Sequence, residues 1–427
     1  MLVIAAIAFA ILAFVKTAIP SGERTRLVGC LFVILAWYAV WLPIVQLELD
    51  ATRGKGTYGS DADYYAGEMA NTCASPSPIQ TARQASSHGY VLFGAAVLAT
   101  SPGQSIIWVK VANVLALMLC LCLMYWLMRS TDIRPAHCRL FVMLLGLNGI
   151  VTWMVLRNLK DTLFVTGAFA EVALLFHLIC RPGRFVWIRL LLSLFITLLF
   201  GYLLTTIRPW GMFFSLSVML SALLTAFSQK CVKWTHVGVL TVVTALSLFS
   251  AQDWLVASAS RYMRGRAKNL DAAVLPLESP SATQLVVPPA RFLTGPGFVR
   301  AMVGHDAFVV TTSVGNLLVG LGSLMWWGLL PLWIMGWVRP PSSLLRDSQI
   351  IGPALCLLLV YSYLYGGTVD TRTRAVFYLL STPWIARYAE ELSRRSSVVQ
   401  GNRRIVYLSL VMATFVFGVA FSYRTVL

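Results

Sequence analysis

Apolar runs of about twenty residues recur along nearly the whole chain, and this restricts its fold more than any other feature. Each helical residue adds ~1.5 Å, so about 20 of them cross a bilayer core of ~30 Å. In lipid the backbone must satisfy its own hydrogen bonds, so such runs become helices. The sequence therefore predicts an all-α, polytopic transmembrane helical bundle of about twelve spans. They fall near 2–15, 28–46, 105–128, 140–156, 162–180, 187–206, 210–228, 235–251, 313–337, 349–367, 375–389 and 405–422. The expected organisation is one integral membrane domain over 1–427, with two long external loops at 47–104 and 252–312.

Composition agrees. Hydrophobic residues are 58% of the 427, charged residues 12%, and mean hydropathy is +0.74. Soluble domains average about 45–50% apolar and about 25% charged. A soluble protein and a disordered acidic chain are both excluded. The 34 Lys and Arg outnumber the 17 Asp and Glu, but this excess is a matter of topology, and no nucleic-acid partner is expected. The eight cysteines are scattered through apolar runs, with no disulfide framework and no metal-ligand spacing. Lys16 follows the first apolar run instead of preceding it, which favours a true span over a signal peptide.

Basic residues gather in alternate loops. One set carries Lys16, Arg24 and Arg26, then Arg129, Arg134 and Arg139, then Arg181, Arg184 and Arg189. It continues with Lys230 and Lys233, Arg339 and Arg346, and finally Arg394, Arg395, Arg403 and Arg404. These short loops are expected to be cytoplasmic. Both termini and both long loops then lie outside.

The candidate chemistry sits on that outer side. Asp61 and Asp63 follow the second span, within Gly59-Ser60-Asp61-Ala62-Asp63-Tyr64-Tyr65. A carboxylate here can act as a base on an acceptor hydroxyl or hold a divalent metal, Mg²⁺ or Mn²⁺. The same residues also suit the start of a helix. His88-Gly89-Tyr90 opens an apolar segment, 90–100, which is too short to span and fits an interfacial or re-entrant helix. Arg157, Lys160 and Asp161 crowd one short outer turn. They serve either as snorkelling side chains or as an anion site in which Asp161 orients the cations. Arg208 stands at the Pro209 break, and Arg372 and Arg374 follow span ten. Arginine forks grip phosphate bidentately, so the set suits a lipid phosphate beside a hydroxyl acceptor. In the second long loop Arg264 and its basic neighbours bind an anionic glycan or headgroup, or are simply solvated; His305 lies further on in that loop. Glu171 and His177 are ionisable groups inside span five.

Taken in order, these motifs resemble the multi-pass bacterial glycosyltransferases of the GT-C fold. The likeness is carried by Gly59, Asp61, Ala62, Tyr65 and Gly67, then by Gly89-Tyr90, Arg157 and Lys160-Asp161. It ends with Arg208 and with Arg372-Thr373-Arg374 ahead of Pro383. Here the acidic loop follows the second span, where many such enzymes place it after the first. The resemblance implies a polyprenyl-phosphate-linked sugar donor, a glycan or lipid acceptor, and a bacterial inner-membrane location with the active face external. It implies that Asp61 or Asp63 works at the acceptor hydroxyl. Arg157, Lys160, Arg208, Arg372 and Arg374 would then neutralise the donor phosphate. Tyr65, His88, Asp161, Arg264 and His305 would have supporting places. Gly304-His305-Asp306, with Asn316 and Gly320, is also similar to the O-antigen polymerase and ligase group. A lipid or polysaccharide transporter and an envelope-assembly partner are the readings of other classes.

Overall fold

The computed structural model describes residues 1–52, 61–157, 159–180, 185–236, 238, 242, 288–290, 292–295, 313–341, 343–364, 371–394, 407, 411 and 412. Among them every regular element is a helix. In chain order these are α1 Leu2–Ala18, α2 Ser21–Thr52, α3 Asp61–Ala74, α4 Pro78–Arg83, α5 His88–Ala99, α6 Ile107–Ser130 and α7 Pro135–Gly146. They continue as α8 Gly149–Leu156, α9 Asp161–Ile179, α10 Val186–Thr205, α11 Gly211–Ser228, α12 Ser313–Val338, α13 Ser348–Leu359 and α14 Thr371–Arg394.

Among the described residues, six helices are long and apolar enough to cross a membrane: α2, α6, α9, α10, α11 and α12. The pair α7 and α8 makes a seventh if it is counted as one span bent by 55°. The chain is thus a multi-pass membrane protein by the length and composition of its helices. Predicted spans 235–251 and 405–422 fall largely outside the described residues. So does most of the 252–312 loop, including Arg264 and His305.

Several predicted boundaries shift for physical reasons. Span 28–46 grows into the 32-residue α2, because its polar ends, with Glu23, Arg24 and Glu48, still favour helix. Span 140–156 breaks at Leu147-Asn148. The Asn148 side chain accepts from the amides of Ile150 and Val151 and so starts a new helix. The stretch predicted as an external loop, 47–104, is mainly helical, through the end of α2 and all of α3, α4 and α5. The 90–100 segment is the 12-residue α5. Span 375–389 is part of the 24-residue α14, too polar to count as a lipid-facing span.

The described chain falls into two compact units, 1–166 with 293–341 and 369–427, and 167–292 with 342–368. In the first, α14 is the central helix, and every residue from Thr373 to Tyr388 is buried. It packs on α12, α8, α7 and α6. Trp326 of α12 stacks on Tyr378 at 4.1 Å between ring centroids, and Trp333 meets Phe377 edge-on. Without water to drive association, membrane helices gain from close backbone approach at small residues. The α8–α12 crossing does this twice: a side chain at Gly149 would strike the Leu318 backbone, and one at Gly322 would strike the Ile150 backbone. The Asn148 amide also donates to the Gly322 carbonyl at 3.2 Å. A separate apolar cluster joins α1, α3, α4, α5 and α6 around Met69, Tyr90, Val91 and Val109. It fixes α3 and α5 against α6.

In the second unit α10 and α11 form a tight hairpin. Gly211 lies so close to the Leu204–Thr205 backbone that no side chain fits there. On α11 and α13, Gly352 is seated on Ser221, and the Gln349 amide donates to Thr225 Oγ1 at 3.1 Å.

Candidate functional site

Charged residues of the first unit collect at two levels. In α6, Lys110 and Arg129 stand near opposite ends, 19 residues and about 28 Å apart at ~1.5 Å per residue. In α14, Arg372 and Glu390 are separated by about 27 Å on the same count. Both separations match the ~30 Å of a hydrocarbon core.

The second level is built by Glu23 and Glu390. Glu23 accepts from Tyr125 at 2.5 Å and pairs with Arg129 at 3.0 Å. Glu390, fully buried, accepts from Arg134 Nε at 2.8 Å, Arg394 Nε at 2.8 Å and His137 Nδ1 at 2.6 Å. Burial alone would push the Glu390 carboxyl up, but these bonds and the Arg134 amide bring it below the ordinary carboxylate value. Residues from three of the loops predicted as cytoplasmic meet here: 16–27, 129–139 and the one after 389.

The first level collects most of the predicted site. Asp61 and Asp63 occupy the first turn of α3, where a carboxylate complements the helix dipole. The helix-start and chemical readings of these residues therefore coexist. Asp61 pairs with Arg372, which lies in the first turn of α14. Both remain accessible, at 46% and 25% exposure, and Asp63 is exposed. Arg374, two residues on, is fully buried, with its guanidinium against Gly295. Arg157 closes α8 and lies 5.4 Å from the Trp153 ring centroid.

Lys160 is nearly buried but well provided for. Its ammonium donates to Ser87 Oγ at 2.6 Å and stands 5.2 Å from the Tyr65 ring centroid. Tyr65 and Ser87 are themselves 3.3 Å apart, oxygen to oxygen. Tyr90 packs edge-on against Tyr65, and its hydroxyl accepts from Asn113 at 3.0 Å. Asp161, completely buried at the start of α9, acts electrostatically on Tyr90. His88 follows Ser87 at the start of α5. Burial and the neighbouring Arg83 hold its imidazole below the usual histidine range, which favours the neutral form. It fits a hydrogen-bonding or proton-accepting place better than a cationic one.

Sequence reasoning missed three members of this level. Lys110, at 3% exposure, donates to Gln46 Oε1 at 2.6 Å, and Asp50, Asp63 and Arg157 act on it electrostatically. Its signal was a single charge at the start of an otherwise apolar run. Ser87 and Asn113 carried no signal, because a small polar residue beside an apolar stretch is common.

Arg208 belongs to the second unit, nearly buried at the α10–α11 turn, where its amide donates to Leu204 O and its carbonyl accepts from Gly211. Also in that unit, Glu171 is fully buried and accepts from Ser215 at 2.8 Å. Among the described residues no group of three or more His, Cys, Asp or Glu side chains is placed to hold a metal. The Asp61–Asp63 pair gains no third such ligand there.

The first level thus offers two accessible carboxylates, one bound to an arginine, beside a bank of cations that extends from partly exposed to fully buried. Chemically it can hold an anion and accept a proton in the same place. Comparison with protein-family models, with curated proteins and with solved structures finds no match.

Proposed function

We propose that the chain is a membrane glycosyltransferase of GT-C-like, about twelve-span topology. It would move a sugar or glycan from a polyprenyl-phosphate-linked donor to a hydroxyl acceptor at the outer face of a bacterial inner membrane. The observation that supports this reading is the Asp61–Arg372 pair, set at one level of the first unit with Asp63, Arg157, Lys160 and Lys110. A lipid-linked donor would bring its phosphate to that level. Arg372 and Arg157 would grip the phosphate oxygens, with buried Lys160 and Arg374 adding positive charge from behind. The acceptor oxygen attacks the anomeric carbon, and the bond from that carbon to the phosphate oxygen breaks. The bonding pair leaves with the polyprenyl phosphate, and the hydroxyl proton passes to Asp61 or Asp63. A polymerase or ligase would use the same donor chemistry with a glycan or lipid-core acceptor.

Analysis of surface glycan in a deletion strain tests this. Complementation with the wild-type chain should restore the glycan. Asp61→Asn and Arg372→Ala, present at normal membrane levels, should not. Full restoration by both variants overturns the assignment.

One observation favours a reading of another class. Glu171, in the interior of α9 with Ser215 as partner, is the kind of intramembrane acid that transporters use. Loss of glycan export in Glu171→Gln, with lipid-linked sugar transfer intact, would favour transport.

A further inference from the structure

The two groups that the proposed reaction needs most are engaged with each other. Arg372 is assigned to the donor phosphate and Asp61 to the acceptor hydroxyl, yet the Asp61 carboxylate occupies the Arg372 guanidinium. A carboxylate whose lone pairs are held by an arginine is a poor proton acceptor. An arginine filled by a carboxylate offers less to a phosphate. Each group is less available for its role while the pair stands, since Arg372 Nη1 and Asp61 Oδ2 are engaged with each other.

We propose that the pair is a latch opened by the donor: the phosphate of the lipid-linked donor displaces Asp61 from Arg372, and only then is Asp61 free to act as a base. The inference rests on the glycosyltransferase reading and adds an order to it, donor before acceptor. Three features support exchange at this position. Both side chains are partly exposed, so a ligand reaches them without unfolding the site. Lys160, Lys110 and Arg374 are nearly or fully buried, so a phosphate meets the partly exposed guanidiniums of Arg372 and Arg157 before them, and of these two Arg372 is the one that holds Asp61. Asp61 sits in the first turn of α3, whose positive dipole end can hold the carboxylate after it leaves Arg372. In the step that follows, Asp61 gains the hydroxyl proton as the acceptor oxygen bonds to the anomeric carbon, and the phosphate departs with the electron pair of the broken bond.

The test is binding of farnesyl phosphate, a sugar-free lipid phosphate, to the full chain in detergent micelles, with inorganic phosphate as a second probe. Removing the internal competitor should raise affinity. If the latch is closed about nine-tenths of the time, Asp61→Asn should bind farnesyl phosphate roughly tenfold tighter than the wild type. Asp61→Ser also removes the charge and suits the start of a helix, so it should show the same gain and guards against one ill-folded variant. Asp63→Asn, which removes a neighbouring charge without breaking the pair, should gain far less. Arg372→Ala should bind weakly with or without the Asp61 change. An equal gain for inorganic phosphate would mean that the phosphate alone opens the latch; a gain confined to farnesyl phosphate would mean that the lipid tail is needed to deliver it. The proposal is overturned if neither Asp61 variant binds tighter than Asp63→Asn. That result could coexist with sugar transfer by the wild type, in which case the latch falls and the enzyme reading stands. Tighter binding by both Asp61 variants, together with a wild type that transfers no sugar, would do the reverse.

Discussion

At the level of single residues, the proposed chemistry depends on which charges are accessible and which are held. Lys160 illustrates a held one: its ammonium is nearly buried, and its hydrogen bond to Ser87 and the Tyr65 ring offset the cost. Ser87→Ala removes one acceptor from a buried cation, so it should cost about 1–3 kcal/mol of stability, read as a fall in the detergent melting temperature. Glu390 is the counterpart at the other level. Its native carboxyl lies below the ordinary value, so the stability it contributes is present above that value. It is lost as pH falls through the depressed native value. Wild-type protein should therefore melt more easily as pH drops below about 4.5, and Glu390→Gln should flatten that part of the profile. At pH 7 the same variant should cost about 1–2 kcal/mol, since Arg134 and Arg394 are about half exposed and can turn to water. A Glu390→Gln profile that follows the wild type down the acid limb would contradict this. Much at this scale was legible in advance. Asp61, Arg157, Lys160 and Arg372 stand out because charge in an otherwise apolar chain is rare and expensive. The partners were not legible. Nothing local in Ser87 or Gln46 says that a lysine 73 or 64 residues away will find it.

Among the elements, the α8–α12 crossing and the central α14 do most to position the site. Arg157 ends α8 and Arg372 begins α14, and these helices pack on each other. The crossing depends on Gly149 and Gly322, whose missing side chains let the backbones touch. Gly322→Leu should force the helices apart and cost about 2–3 kcal/mol or more. It should also lower any lipid-phosphate affinity, because α8 carries Arg157. An equally large Gly67→Leu change, at an exposed position with open space around it, should leave the melting temperature near that of the wild type. Helix existence was readable from apolar runs, and the 12-residue α5 follows from a segment too short to span. The break at Asn148 was not readable, because a cap in the middle of an apolar run has the composition of the run. The length of α14 was hidden for another reason. A helix shielded on every side by other helices need not be apolar, so Arg374, Arg387 and Glu390 diluted its signal.

Across the whole of the first unit, two charged levels one membrane thickness apart give the alternating loops a physical meaning. Residues from alternate loops contact one another at each level. Labelling should confirm this from outside. In a background without accessible native cysteines, Gly67→Cys and Gly22→Cys, both at exposed open positions, should react with a membrane-impermeant maleimide from opposite sides. Labelling of both from one side would break the two-level arrangement. The sidedness follows the charge rule, and Gly67 is expected to label from outside intact cells. The central claim is that the Asp61 level transfers sugar. The most direct test is transfer from a labelled polyprenyl-phosphate-linked sugar to membrane acceptor by the purified chain in vesicles. The wild type should transfer, and Asp61→Asn and Arg372→Ala should each lose about 100-fold or more, in line with removal of a general base or an electrostatic stabiliser. Wild-type rates in both variants, with protein levels and melting temperatures unchanged, would contradict the account.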